Sequence, residues 1–334
     1  KSINNHSEIN EKNWASAELY LDWALLRMSF HEYVLAFWEF NKAKKCIENI
    51  DSNSLAFKKS KKAAGLIHSI ISVIPEQYQW VSNSLGFKGD ISQGLIELNL
   101  FLDNIPKNSF LHSDGKIALS IIQSYLNEDI PNGIKTLEEL NNYLLIDYFQ
   151  LLLFNRSGDH KRFNEKLKLL NKKSVENKIP FLYFINGMDH LYRFDTTGIK
   201  FFQKYIDNFK GSSYKAEAFQ KMSWISLVNN DTSSYFKYTY LAKNTDESQT
   251  DVDLNAKKVS EKIPDITLLK ARILFDGGYY NSSLELIKDK STNEFTNTYD
   301  KTELVYRAAR NFHKLKKVEK ALTFYDHTIS YGKN

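Results

Sequence analysis

One phrase recurs along this chain and limits what the chain can fold into. A helical stretch ends near a small or acidic turn, and a second helical stretch opens on an apolar residue with further apolar or small positions three, seven and ten places on. Tyr33 leads in this way to Ala36, Phe40 and Ala43, and Val318 leads to Ala321, Tyr325 and Thr328. Between them come Gly89-Asp90-Ile91 with Gly94 and Leu98, Asp129-Ile130 with Gly133 and Leu137, and Gly158-Asp159-His160 with Phe163 and Leu167. Asp231-Thr232 with Tyr235, Gly278-Tyr279-Tyr280 with Ser283 and Ile287, and a weaker copy around Ile199 complete the set. Taking Ala36, Gly94, Gly133, Phe163, Ile199, Tyr235, Ser283 and Ala321 as a ruler gives separations of 58, 39, 30, 36, 36, 48 and 38 residues. A period in this range marks an array of stacked supersecondary units.

The two long separations have visible causes. An extra helical segment at 54–74 stops before Pro75, and a polar insertion at 244–263 stops before Pro264; proline suits the start of the helix that follows. Within each pair the helices need small residues where they cross. Ala24 and Ala36, Ala271 and Ser283, and Ala309 and Ala321 meet that need, with Gly187 in the weaker fifth copy. Tyr20, Trp23, Phe40, Phe219, Met222, Phe312 and Tyr325 are the large apolar residues expected to fill the layer between pairs.

Tyr33, Ala36, Phe40 and Ala43, with Ala309, Phe312, Ala321 and Tyr325, resemble the tetratricopeptide repeat, and the resemblance covers nearly the whole chain. The segment 270–280, from Lys270 to Tyr280, is similar to bacterial tetratricopeptide proteins. The resemblance implies an all-α fold: a right-handed α-solenoid of about eight helix-turn-helix repeats, forming a single superhelix over 1–334. The chain departs from the pattern at Phe163, Ile199 and Tyr235, which replace a small residue, and in lacking most of the prolines that close a repeat. The last copy ends without a polar capping helix, so the array is expected to continue beyond 334 or to be covered by another protein.

Composition agrees with helices joined by short turns. Only 13 glycines and 5 prolines punctuate 334 residues, too few for many short strands, while 42% hydrophobic and 25% charged residues permit a substantial core. The single cysteine, Cys46, rules out an internal disulfide and a cysteine zinc cluster. The richest apolar run, 143–154, is broken by Asp147 and Gln150, so no transmembrane segment is expected. The resemblance to bacterial tetratricopeptide proteins, many of them exported, implies the periplasm or cell envelope, with which a first residue of Lys1 and a removed signal peptide are compatible; the cytoplasm is the alternative. A net charge of +5, with Lys interleaved among Asp and Glu, reads as a solvated surface, and nucleic acid is disfavoured as a partner.

No catalytic signature is present. His31-Glu32 starts like a metalloprotease motif but Leu35 stands where the second histidine belongs, and the Gly-rich phosphate loops and the nucleophile elbow are missing. Gly277-Gly278 reads as a tight turn between helices. The eight histidines are scattered, with no pair three or four apart, so no metal or other cofactor is expected. Adjacent Glu138 and Glu139 point to different sides of a helix, and Cys46, beside Lys44 and Lys45, reads as a half-buried helix thiol. Aromatic residues at 14%, interleaved with Lys, fit inter-repeat packing better than base stacking.

The resemblance also implies where a partner would bind: at two positions on each first helix, facing a concave groove. Here these are Tyr148 and Leu152, Phe184 and Met188, Gln220 and Trp224, Leu268 and Arg272, and Tyr306 and Arg310, with His313 and Lys314 nearby. Tyr, Trp and Arg are the side chains that concentrate interface energy. The Lys and Asn set of the carboxylate clamp is not found. The expectation is therefore a non-enzymatic scaffold or adaptor subunit, binding protein partners within a larger assembly. The alternative is a nucleic-acid or regulatory-ligand binder using Lys-rich stretches such as 58–62 or 161–173.

Overall fold

A computed structural model describes residues 2–74, 76–80, 86, 88–140, 143–173, 178–245, 250–258 and 263–332. Pro75, parts of the insertion at 244–263 and the last two residues lie outside the described residues. The described residues form helices and connections with no strand, so the chain is all-α. Contacts divide it into two compact units, residues 1–157 and 158–334.

Unit 1 contains α1 (Ser2–Ser29), α2 (Tyr33–Glu48), α3 (Leu55–Ile71), α4 (Ile91–Asp103), α5 (Phe110–Ile121), α6 (Ile130–Glu138) and α7 (Leu144–Ser157). Helix α1 packs on α2, α3 on α4, and α6 on both α5 and α7. Thus α3, within the segment 54–74, is the first helix of the second pair. Its crossing with α4 is so close that a Cβ on Gly65 would stand 2.7 Å from the Gly94 carbonyl, and one on Gly94 would stand 2.5 Å from the Gly65 carbonyl. Between α5 and α6 a π-helical turn, Ile122–Leu126, inserts one extra residue. The small-residue contact there joins Ser120 Oγ to the Gly133 carbonyl at 2.8 Å, 13 positions apart, where Ser283 Oγ and the Ala271 carbonyl meet at 12.

Unit 2 starts with α8 (His160–Lys172) and continues through α9 (Phe181–Tyr192), α10 (Thr197–Asn208), α11 (Lys215–Val228) and α12 (Thr232–Lys243). A short α13 (Asp251–Lys257) precedes α14 (Ile266–Asp276), α15 (Tyr280–Ile287), α16 (Thr298–Lys314) and α17 (Val318–Gly332). Pairs form between α9 and α10, α11 and α12, α14 and α15, and α16 and α17; the first helices α9, α11, α14 and α16 also touch in sequence. Phe184, Phe202, Tyr205, Met222, Ile225 and Tyr235 make the main core, and each such side chain contributes roughly 1.5–3 kcal/mol by leaving water. In the fifth copy the residue facing back is Gly198, where a Cβ would sit 3.0 Å from the Gly187 carbonyl, and Ile199 beside it packs at the edge of the core.

The turns between successive helices share one backbone device. A left-handed residue stands five places before each ruler residue but one: His31, Glu128, Gly158, Phe194, Asn230, Gly278 and Lys316. In five of these turns the next N–H reaches back to close the preceding helix: Glu32 to Arg27 (3.0 Å), Asp195 to His190 (2.9 Å), Asp231 to Ser226 (2.9 Å), Tyr279 to Leu274 (2.8 Å) and Lys317 to Phe312 (2.9 Å). This six-to-one bond satisfies a carbonyl that the helix end leaves open. Where that next residue is aspartate it also starts the second helix. Asp129, Asp159 and Asp231 accept from Asn132 N, Arg162 N and Ser234 N at 3.3, 3.1 and 2.9 Å, and Asp195 accepts from Thr197 N at 2.8 Å. Gly89-Asp90 is the copy without a positive-φ residue, yet Asp90 still accepts from Gln93 N at 3.1 Å.

These donors act on the carboxylates. The Thr197 N–H and hydroxyl, then His190, lower Asp195 to about 2, and hydrogen bonds from Arg162 and Ser234 lower Asp159 and Asp231. A folded-state value below the unfolded one means stability that is complete above the ordinary carboxylate range and is lost as pH falls toward 2. Asp195→Asn should therefore flatten the decline of Tm between about pH 4 and pH 2, while leaving its slope above pH 5 unchanged; an identical acid limb in both proteins would contradict this. Gly278 has φ +82°, and a Cβ there would stand 3.1 Å from Gly158 Cα. Gly278→Ala should cost about 1–3 kcal/mol, measured by urea unfolding.

Candidate functional site

The face built by the first helices of unit 2 gathers cations and rings. On α11, Lys221 lies buried in a mainly apolar stretch with its Nζ 3.3 Å from Glu217 and 3.9 Å from the centre of the Trp224 ring. Burial pulls this ammonium below the ordinary lysine value, against the pull of Glu217 and Asp276. The Arg272 guanidinium of α14 lies over the same Trp224 ring at 4.8 Å, and its Nε stands 3.9 Å from Asp276 without making a hydrogen bond. Trp224 thus carries a cation from its own helix and one from the next, an attraction that strengthens as water is excluded.

The same arrangement is repeated one pair further on. Arg310 of α16 lies 4.3 Å over the ring of Phe275 on α14 and 5.6 Å over Tyr306 on its own helix. Arg307, paired with Glu303 at 2.6 Å, approaches the Tyr306 ring at 5.5 Å. The Tyr306 ring stands 6.5 Å from Tyr325 of α17, whose hydroxyl lies 3.3 Å from His313 Nδ1. The structure therefore brings Trp224 to Arg272, and Arg310 to Tyr306, with His313 joined to the latter through Tyr325. Gln220, Arg272, Tyr306 and Arg310 are half-buried and His313 is exposed.

The remaining expected residues have other surroundings. Phe184 is 5% exposed, stacked on Phe181 and edge-on to Phe202, Tyr205 and Tyr214, so its ring belongs to the core. Trp224 keeps only 7% of its surface. Met188 packs against the main core and Leu268 is buried in the C-terminal one. Tyr148 and Leu152 belong to unit 1, where both are half-buried.

Sequence reasoning missed Lys221, Phe275 and Glu217. Their signal was present: Glu217, Lys221 and Trp224 follow each other at four and three residues, the spacing of one helix face, and a charged residue inside AEAFQKMSWISLV stands out on it. It also missed the support of this face. Asp253 of α13, fully buried, accepts hydrogen bonds from Tyr214 N (2.6 Å), Glu217 N (2.9 Å) and Thr250 Oγ1 (2.7 Å), and so closes the N-terminus of α11 from the polar insertion.

The basic stretches differ in their surroundings. Lys59 binds Glu11 at 3.0 Å, Lys61 binds Glu97 at 3.4 Å, and Lys62 sits between Glu18 at 2.7 Å and Asp114. Three of the four lysines in that run are thus paired with carboxylates within unit 1. On α8, Lys161, Arg162, Lys168 and Lys172 are exposed, with Arg162 paired to Asp159 at 2.6 Å. Among the described residues, no helix is long and apolar enough to cross a membrane. Comparison with protein-family models and with curated proteins finds no match.

Replacing Asp253 by Ala strands two backbone N–H groups at the start of α11. The change should cost about 2–3 kcal/mol in urea unfolding. A loss below about 0.5 kcal/mol would mean that α13 does not brace this face.

Proposed function

We propose that this chain is a right-handed α-solenoid of tetratricopeptide-like helix pairs serving as a protein-interaction scaffold, which holds a partner segment on the face of α11, α14 and α16. The observation that carries this reading is the pair of cation-on-ring clusters, Lys221 and Arg272 on Trp224, and Arg310 on Phe275 and Tyr306. Rings and guanidinium groups held in place by each other lose little freedom when a partner docks. They are also the groups from which interface hot spots are made. Arg272 and Arg310, half-buried with their guanidinium groups resting on rings, favour a partner segment with acidic side chains among apolar anchors. Binding without chemistry fits a face whose charged groups pair with one another or stack on rings.

The second reading is a nucleic-acid binder working through α8. It is supported by the exposed Lys161, Arg162, Lys168 and Lys172, and weakened at 58–62, where three of the lysines are already paired with carboxylates.

A tagged chain, used to capture partners from native cell extract at low and high salt, separates the two. The scaffold reading expects a stoichiometric protein that survives high salt, is retained by Lys168→Gln/Lys172→Gln and binds at least 30-fold more weakly to Arg272→Ala/Arg310→Ala, the loss of about 2 kcal/mol expected of a hot spot. Circular dichroism checks that the variants are folded. Recovery of nucleic acid alone, lost with salt and with the lysine variant, would overturn it in favour of α8.

A further inference from the structure

Unit 1 contains an apolar trough of about 260 Å³ that shares no residue with the partner-binding face proposed above. Two helices form its long walls. Ile117 and Ile121 of α5 make the first, followed at the same interval of four residues by Tyr125 in the π-helical turn. Phe149, Leu152 and Leu153 of α7 make the second, and the same face of α7 reaches Arg156 one turn further on. Leu137 of α6 and Leu153, both buried, close the floor, while Ile121 and Tyr125 stand exposed at the rim. The π-helical turn carries the first wall past the end of α5, and turns of this kind are frequent at functional sites.

The chemistry of the lining decides what the trough is suited to hold. An apolar cavity of about 150 Å³ stays dry and takes up a benzene-sized ligand, so this one has room for a longer hydrocarbon. Its first wall, from Ile117 to Tyr125, is about 12 Å long. Ser120 is the polar residue of the floor, and its hydroxyl already donates to the Gly133 carbonyl at 2.8 Å. A peptide laid in the trough would therefore bury main-chain N–H and C=O groups against hydrocarbon, which is costly. An alkyl chain has no such groups to satisfy.

One end of the trough carries charge. The Arg156 guanidinium lies 4.5 Å over the ring of Tyr125. Arg156 is exposed and, among the described residues, makes no ion pair. Burial raises the Tyr125 phenol and the Arg156 charge pulls it back, so this cation acts on the rim of the trough itself. Stacking on the ring holds the guanidinium beside the opening, with its N–H groups free for a carboxylate.

We propose that this trough binds a medium-chain fatty acid, its alkyl chain lying between α5 and α7 and its carboxylate resting on Arg156. Covering Ile121 and Tyr125, which are 37% and 42% exposed, supplies the apolar drive, and Arg156 sets the orientation.

Isothermal titration calorimetry of the whole chain with octanoate, and with octanol as its uncharged analogue, tests this. Octanoate should bind saturably with a dissociation constant on the order of 0.1 mM. Leu152→Trp, which fills the trough, should abolish binding of both ligands, with circular dichroism checking that the variant is folded. Arg156→Gln, at an exposed position where folding is not at stake, should weaken octanoate at least threefold and leave octanol unchanged. No saturable binding of octanoate, binding that survives Leu152→Trp, or an Arg156→Gln variant that treats the two ligands alike overturns the proposal. So does displacement of octanoate by a lower concentration of a peptide ending in leucine, which would make the trough a docking point for a protein chain end.

Discussion

The left-handed residue between paired helices is the constraint on which the rest depends. In five of these turns a six-to-one hydrogen bond closes the first helix, and one residue later the second begins, so backbone geometry and the packing on either side specify the same angle and offset of the pair. The small-residue contacts follow from that offset. Ser283 meets the Ala271 carbonyl because the Gly278 turn lies midway between them, and Ser120 meets the Gly133 carbonyl because the π-helical turn shifts its helix by one residue. Non-glycine residues adopt this conformation at His31, Glu128, Phe194, Asn230 and Lys316, each against an intrinsic cost of about 1–2 kcal/mol. That cost is tolerated because the packing on both sides of the turn determines its shape.

This explains how much of the fold the sequence made visible. The ruler residues Ala36, Gly133, Phe163, Ile199, Tyr235, Ser283 and Ala321 each stand five places after the left-handed residue, because the turn repeats even where its side chains do not. The acidic half of the turn phrase was legible because an aspartate side chain can cap the second helix. The second pair was harder to read. Its first helix is separated from Gly94 by a connection of unusual length, so Gly65, the residue that Gly94 meets, falls outside any fixed period. Gly198 and Ile199 differ by one position, and only the contact with the Gly187 carbonyl distinguishes them.

The candidate face was legible in part, for a related reason. Helical spacing brings Tyr306 and Arg310 to one face of α16 whatever their partners are, and the pairing of Arg272 with Trp224 follows from neighbouring first helices. Spacing does not reveal depth. Phe184 shares the spacing but stands where Phe181, Phe202, Tyr205 and Tyr214 surround it, and a ring in that position packs and does not greet a partner. Charge runs mislead in the same way: Lys59, Lys61 and Lys62 look like a basic patch until Glu11, Glu97 and Glu18, distant in sequence, come to meet them.

The carboxylate of Asp253 serves backbone groups that lie 39 and 36 residues ahead of it. A ribosome delivers α11 and α12 well before that carboxylate exists, so the pair emerges with an open helix end that water must serve. The first turn of α11 can reach its final order only when α13 has followed it out and folded back. The unit is thus completed against the direction of synthesis, its second pair finished by a segment made after that pair has emerged.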